Sequence, residues 1–281
     1  MKRKIINILQ VFLIIVIVWG IYKVYAYQKD DKSYQVLDNN YKAIRDESIK
    51  DNMKKIDEEK EDSEIESSIL FVRDLNKNYP HVKARLLIEN LDMDYPVVQG
   101  EDNDYYLNHD YTGAYHPFGA VFMDCVNSIE FKDQNTIIYG HNVKSGHVFN
   151  PLNKYRDEKY VEDNPYIIID GLEGRFTYEI FAVYEANQYE EYRLPSYDEE
   201  DFEEFLSRIE EKNFLDRQLP NKDDKILTLS TCSDIDDRMV VQAKLVKIEK
   251  WYRKNGYMAV FLSVLFSCYV LISLCFLSIR W

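Results

Sequence analysis

Ile226-Leu227-Thr228-Leu229-Ser230-Thr231-Cys232, followed after a short acidic stretch by Arg238-Met239-Val240-Val241, is the part of the chain whose reading decides the rest. With a period of two, Leu227 and Leu229 point one way and Thr228, Ser230 and Cys232 the other. The thiol therefore shares a strand face with small hydroxyls, an unusual setting for a core cysteine, which behaves as a small hydrophobe among hydrophobes. Ser233-Asp234-Ile235-Asp236-Asp237 reads as a polar turn and Met239 to Ile248 as a second strand, so Arg238 begins a strand beside the one that ends in Cys232. A thiol and a guanidinium meet at one end of a sheet.

Outward from this hairpin, the two ends of the 281-residue chain are apolar. Ile5 to Tyr22 is interrupted only by Asn7 and Gln10, and Met1-Lys2-Arg3-Lys4 precedes it, the pattern of a membrane helix whose basic end stays in the cytoplasm. A cleaved signal peptide is the rival reading, given the small residues of Val24-Tyr25-Ala26, but Lys23 and the bulky tyrosines nearby favour a retained anchor. Gly256 to Ile279 is a second run long enough to span a bilayer, flanked by Trp251, Tyr252 and Trp281. Two transmembrane helices put both termini in the cytoplasm and the intervening domain outside the cell membrane. The expected organisation is an anchor over 1–27, a charged helical stalk or flexible spacer over 28–68, a catalytic domain over 69–250 and a C-terminal transmembrane segment over 251–281.

The formal net charge of -14 argues against a nucleic-acid partner, because phosphate binding needs a basic surface. Of the four cysteines, Cys268 and Cys275 fall in the second apolar run, which leaves Cys125 and Cys232 outside it. A disulfide between those two is the structural alternative to a reactive thiol.

Between the ends, short strands alternate with turn signals. Val82, Ala84, Leu86 and Ile88 alternate, Tyr95 to Val98 and Gly119 to Met123 are short strands, and Thr136 to His141 is a buried strand ending in a histidine. Tyr166 to Asp170 and Thr177 to Tyr184 add two more before the opening stretch. This is a mainly β pattern, an antiparallel barrel or sandwich. One helix interrupts it: Ser196 as cap, Glu199 three residues on as in a capping box, then Phe202, Phe205, Leu206 and Ile209 at helical spacing.

His141, Cys232 and Arg238 each lie at a strand end, where scaffolds present reactive groups. A free thiol has a pKa of about 8.5, so a nucleophilic cysteine needs a base or positive charge nearby. His141 suits general acid and base, and Arg238 suits holding a carbonyl oxygen as it gains charge. Together they describe acyl transfer through a thioester. The structural alternatives are a hydrogen-bonded strand-end histidine and an arginine paired with Asp236 or Asp237. His109, His116 and His147 match no zinc spacing, so no metal and no cofactor is expected.

Thr228-Leu229-Ser230-Thr231-Cys232 followed by Arg238 resembles the signature of sortases, membrane-anchored cysteine transpeptidases of Gram-positive bacteria. Tyr139-Gly140-His141-Asn142 resembles the strand end that bears their histidine, and Tyr105-Tyr106-Leu107-Asn108-His109 their substrate-groove helix. The likeness runs from about Leu70 to Lys250 and is greatest to class B, in the T-L-S-T-C form, in Gly140 to Lys144 followed by Phe149, in the N-terminal helical extension and in the helix inserted before the cysteine strand. The resemblance implies an eight-stranded sortase-type β-barrel with N-terminal helices and no cofactor. It implies Cys232 as nucleophile, His141 as acid and base, Arg238 as substrate and oxyanion contact, and Asn103, Leu107, Ser230 and Thr231 as substrate-binding positions. The implied partners are secreted proteins with a C-terminal sorting signal cut after a Thr, and as acceptor an amine of a peptidoglycan precursor or of a pilin.

One feature departs from class B, whose members usually have only the N-terminal anchor. A C-terminal span is typical of pilus-building class C enzymes, but those tend to carry an Asp-Pro lid motif and no Asp-Pro pair occurs here. A pilin-polymerising enzyme, a plain cysteine hydrolase and a non-catalytic wall-protein binding module are the competing functions.

Overall fold

Eight strands close into a barrel in the order β1-β2-β3-β4-β7-β8-β6-β5. They are β1 (Val82–Ile88), β2 (Met93–Val98), β3 (Val121–Met123), β4 (Asn135–His141), β5 (Tyr166–Gly171), β6 (Gly174–Asn187), β7 (Ile226–Cys232) and β8 (Asp237–Lys250). The computed structural model describes residues 2–56, 63–187, 190, 192–232 and 237–251. The acidic turn 233–236 and the second apolar run, Gly256 to Ile279, lie outside the described residues, so of the two expected transmembrane helices only the first is in view. Among the described residues one helix, near the N-terminus, is long and apolar enough to cross a membrane.

The barrel is not wholly antiparallel, as the strand pattern suggests. β2 with β3 and β4 with β7 are parallel pairs. Parallel neighbours need a long crossover. The one between β4 and β7 carries β5, β6 and the inserted helix, an arrangement that local periodicity does not encode.

Leu227 and Leu229 enter the barrel core with Leu86, Val97, Ile138, Ile169 and Val241. Thr228 and Ser230, on the other face, are buried as well. That face is covered by the insert between β6 and β7, in which Tyr192, Tyr197 and the helix α4 (Glu199–Lys212) pack Phe202, Phe205 and Ile209 against Ile226 and Val240. The cap of α4 is Asp198 rather than Ser196. Its carboxylate accepts from the Asp201 amide at 2.9 Å while its own backbone is extended, the arrangement an N-cap requires.

Three further helices flank the barrel: α1 (Lys2–Lys55), α2 (Ser63–Asn78) and the short α3 (Glu158–Asp163). α1 is continuous from the apolar stretch into the charged region. Its first part exposes Val11 to Tyr25, whereas Tyr34 and Tyr41 are buried against the barrel and α2. Beneath Tyr41 lies a buried ionic network. Arg85 grips Asp94 through two bonds of 2.7 Å, and Tyr41 and Arg45 of α1 reach the same carboxylate. Arg85 also donates to Ser68 of α2, which donates to Asp170, itself held by Arg175. Both N-terminal helices are thereby tied to β1, β2, β5 and β6 by charge-assisted bonds.

Candidate active site

The parallel register of β4 on β7 runs without a break from Asn135 opposite Ile226 to His141 opposite Cys232. β8 lies on the other side of β7, with Ser230 opposite Val240, and that register continued to the strand ends sets Arg238 abreast of Cys232. Backbone hydrogen bonding therefore brings the three positions, far apart in sequence, side by side on neighbouring strands. The side chain of Cys232 lies outside the described residues. Arg238 is half-buried, and its Nε is a buried donor with no hydrogen-bond partner among the described residues.

His141 is held from two directions. Its Nε2 lies 2.7 Å from the carbonyl oxygen of Leu107. A carbonyl only accepts, so Nε2 carries the hydrogen and Nδ1 is the nitrogen left to exchange a proton. Leu107 ends a single 3₁₀ turn, Tyr105–Leu107, whose start is fixed by the Asp102 carboxylate accepting from the amides of Asp104 and Tyr105. Gly119 (φ +60°) closes beneath that turn, where a Cβ would stand 2.5 Å from the Tyr106 carbonyl oxygen. On the other side, Gly140 lets the rings and methyls of the following loop approach: a Cβ there would lie 2.8 Å from Phe149 and 2.9 Å from Val148. The Phe149 amide then donates to the His141 carbonyl at 2.9 Å.

Of the remaining positions, Asn103 is half-buried and its Oδ1 accepts from the Cys125 amide at 2.8 Å. The Leu107 side chain packs partly against the cluster around Tyr106 and Phe122. Ser230 is fully buried and its Oγ lies 2.9 Å from the Tyr192 hydroxyl. Thr231, also buried, accepts from the Met239 amide at 2.9 Å, which stitches β7 to β8 next to Cys232. Cys125 is a free thiol whose pKa is pushed up, chiefly by burial and then by the neighbouring Asp124. Sequence reasoning did not find Tyr192, whose hydroxyl covers Ser230; it stands in the insert outside any periodic segment, and no pattern marks it. It also did not find that Leu107 acts on His141 through its backbone, where side-chain identity gives no signal.

The comparisons with known proteins agree with this geometry. A sortase domain family profile matches residues 86–246. Sortase B of Listeria monocytogenes is 38% identical over 183 residues, which is 62% of this chain and 74% of that protein. Sortase B of Staphylococcus aureus is 25% identical over 256 residues, 88% of this chain and 98% of that one. Among solved structures, a Staphylococcus aureus sortase B-substrate complex superposes with a TM-score of 0.67 at 26% identity, covering 78% of this chain and 98% of that one. An eight-stranded barrel, a histidine strand paired in parallel with a cysteine strand, and relatives of this kind lead to one assignment: the chain belongs to the sortase family, in its class B.

Proposed function

We propose that this protein is held in the cell membrane by the apolar part of α1, cuts a C-terminal sorting signal of secreted proteins after a Thr, and passes the acyl group to an amine of a cell-wall precursor. The observation that carries the reading is the pairing of His141 with Cys232 across β4 and β7, with Arg238 abreast on β8. That register supports the reading because it sets three residues suited to acyl transfer at neighbouring backbone positions.

The Cys232 thiol gives its proton to His141, and the thiolate attacks the Thr carbonyl carbon to form a C–S bond. The oxygen that takes up the electron pair is held by Arg238, whose Nε has a donor to spare. Collapse breaks the C–N bond, and the proton on His141 goes to the departing amine. The acceptor amine then adds to the thioester and gives up a proton to His141, and the sulfur leaves as thiolate. The Leu107 carbonyl keeps the imidazole in one tautomer throughout and stabilises the imidazolium formed after each proton uptake. Asn103 and Leu107 line the approach. Ser230 and Thr231 shape its floor from beneath, through Tyr192 and Met239.

The test is turnover of quenched-fluorescent peptides carrying candidate sorting signals, with and without an amine acceptor. Cleavage by wild type, none by Cys232→Ala, and transfer product exceeding free acid when amine is supplied are expected. Equal cleavage by the Cys232→Ala protein sinks the mechanism.

A further inference from the structure

The turns of α1 just beyond its apolar stretch touch the catalytic neighbourhood. Tyr27, Tyr34 and Tyr41 recur every seven residues, a spacing that keeps them close to one face of a helix. The first two reach the loops on either side of His141. In the loop that follows His141, the Ser145 amide donates to the Tyr27 hydroxyl at 3.0 Å, the Tyr34 ring lies 4.9 Å from the His147 ring, and His147 Nε2 is 3.2 Å from the Asp31 carboxylate. In the loop after the 3₁₀ turn, Phe118 packs 5.6 Å from Tyr27 and 5.7 Å from Tyr34, centroid to centroid. His116 Nε2 lies 2.9 Å from Ser33 Oγ and 3.2 Å from the Asp30 carbonyl. The Phe118 amide donates to His116 Nδ1, so the other nitrogen carries the hydrogen, and burial lowers the pKa of this ring and keeps it neutral.

Each loop passes directly to the catalytic histidine. The first continues into Val148 and Phe149, which press on Gly140 and bond the His141 backbone. The second bonds Asn108 through His116 and the Tyr106 carbonyl through Ala120, and so seats the turn whose Leu107 carbonyl holds the imidazole. The barrel itself does not need these contacts, since β4 is paired on both sides by β3 and β7.

We propose that Tyr27 to Tyr34 of α1 is a clamp that positions His141, with Tyr27 and Ser33 as positioning residues, so that the helix carrying the apolar stretch is also part of the catalytic apparatus. The inference rests on the transpeptidase reading above. From Tyr22, where the apolar run ends, to Ser33 the rise is about 16 Å at 1.5 Å per residue, and Tyr27 between them is 40% exposed. The clamp therefore sits immediately outside the surface in which that stretch is embedded. Because α1 runs unbroken through this region, the orientation of the imidazole is referred to the anchor itself.

The experiment uses the full chain in detergent micelles and compares wild type with Tyr27→Phe/Ser33→Ala, which removes two polar contacts and leaves the rings in place. Small misplacements of catalytic groups cost up to about 100-fold in rate, so a loss of about 3- to 10-fold in kcat is expected. KM should stay within about twofold, and the single variant Ser33→Thr, which keeps the hydroxyl, should keep wild-type kcat. Hydrogen exchange at residues 143–149 should quicken, and the ¹⁵N signals of the His141 ring should move toward a mixture of tautomers. Wild-type kcat in the double variant, or equal losses in Ser33→Ala and Ser33→Thr, overturns the clamp. If wild type shows no Cys232-dependent cleavage, it is the functional reading that fails; the clamp then stands or falls on the exchange and ring signals, which must still change.

Discussion

Replacing Asp94 by Ala removes the hub of the network that ties α1 to the barrel. The Asp94 side chain is 6% exposed and the Arg85 side chain 8%, and two 2.7 Å bonds join them. Tyr41 donates to the same carboxylate at 3.1 Å, and Arg45 pairs with it from the solvent side. Deleting one partner of a buried pair leaves the other charge desolvated and uncompensated, a loss of about 3–5 kcal/mol. Ser68 and Asp170 remain within reach of Arg85, which argues for the lower part of that range. For a domain of this size the loss corresponds to roughly 6–20 °C in Tm. The pH dependence follows from the direction of the Asp94 shift. Burial alone would raise its pKa, but hydrogen bonds and charge from Arg85, with help from Arg45, outweigh it and hold the carboxyl below the usual carboxylate range. A group whose folded pKa is depressed contributes stability above its unfolded pKa of about 3.9 and loses it as pH falls through the folded value. The gap between wild type and Asp94→Ala should therefore be full at pH 7 and narrow below about pH 4. Urea unfolding across that range measures it, with activity per folded molecule as a control. A deficit under about 1 kcal/mol at pH 7, or one that stays constant into acid, refutes the reasoning.

Further substitutions test other parts of the structure. Gly140→Ala places a methyl 2.8 Å from the Phe149 ring, and should cost about 1–3 kcal/mol in thermal unfolding together with more than about tenfold in peptide turnover, because His141 is the next residue. Arg238→Lys keeps the charge but loses the planar fork with its Nε donor, and should lower kcat by about 100-fold in the cleavage assay without changing stability. Tyr192→Phe leaves the buried Ser230 hydroxyl without its 2.9 Å partner, and denaturant titration should show a loss of about 1 kcal/mol. Asp198→Ala uncaps α4 and should cost about 1 kcal/mol by the same measurement, whereas Ser196→Ala should cost less than half of that.

The strands were legible because their alternation is strong. Ala84, Leu86 and Ile88 enter the barrel core, as a two-residue period requires, whereas Val82, beyond a shift in the register of β1 on β2, is buried with Phe71 and Leu75 of α2; the apolar residues of α4 stand where a helical period puts them. What the alternation could not convey is what covers the other face. Arg85 and Asp94 fall on non-core positions of β1 and β2, which by pattern alone belong to water; α1 and α2 lie over them instead. Thr228 and Ser230 are polar for the same local reason and are buried because a remote insert closes over them. At the site, residue chemistry singles out His141, Cys232 and Arg238 one at a time. Their adjacency comes from the parallel pairing of β4 and β7, a contact between segments separated by two strands and two α-helices, and no short window of sequence contains it.

The charged stretch after the apolar helix shows the same principle at its sharpest. Its Asp, Glu and Lys residues dominate any average over the segment, and an average of that kind describes a solvated stalk. The three tyrosines at 27, 34 and 41 carry the opposite message in only one residue of seven. Each is large enough for a single ring to bury what several aliphatic side chains would, so a sparse stripe suffices to dock a helix. Arg45 extends the same side of the helix to Asp94, and Asn52 reaches the Ser67 carbonyl of α2 at 3.5 Å. The stalk is thus a docked element, polar on the face that meets water and aromatic on the face that meets the two loops beside His141. A segment with this division tolerates change at its solvent-facing charged positions far better than at the tyrosines or Arg45, which separates a docked helix from a spacer: a spacer would be indifferent to both.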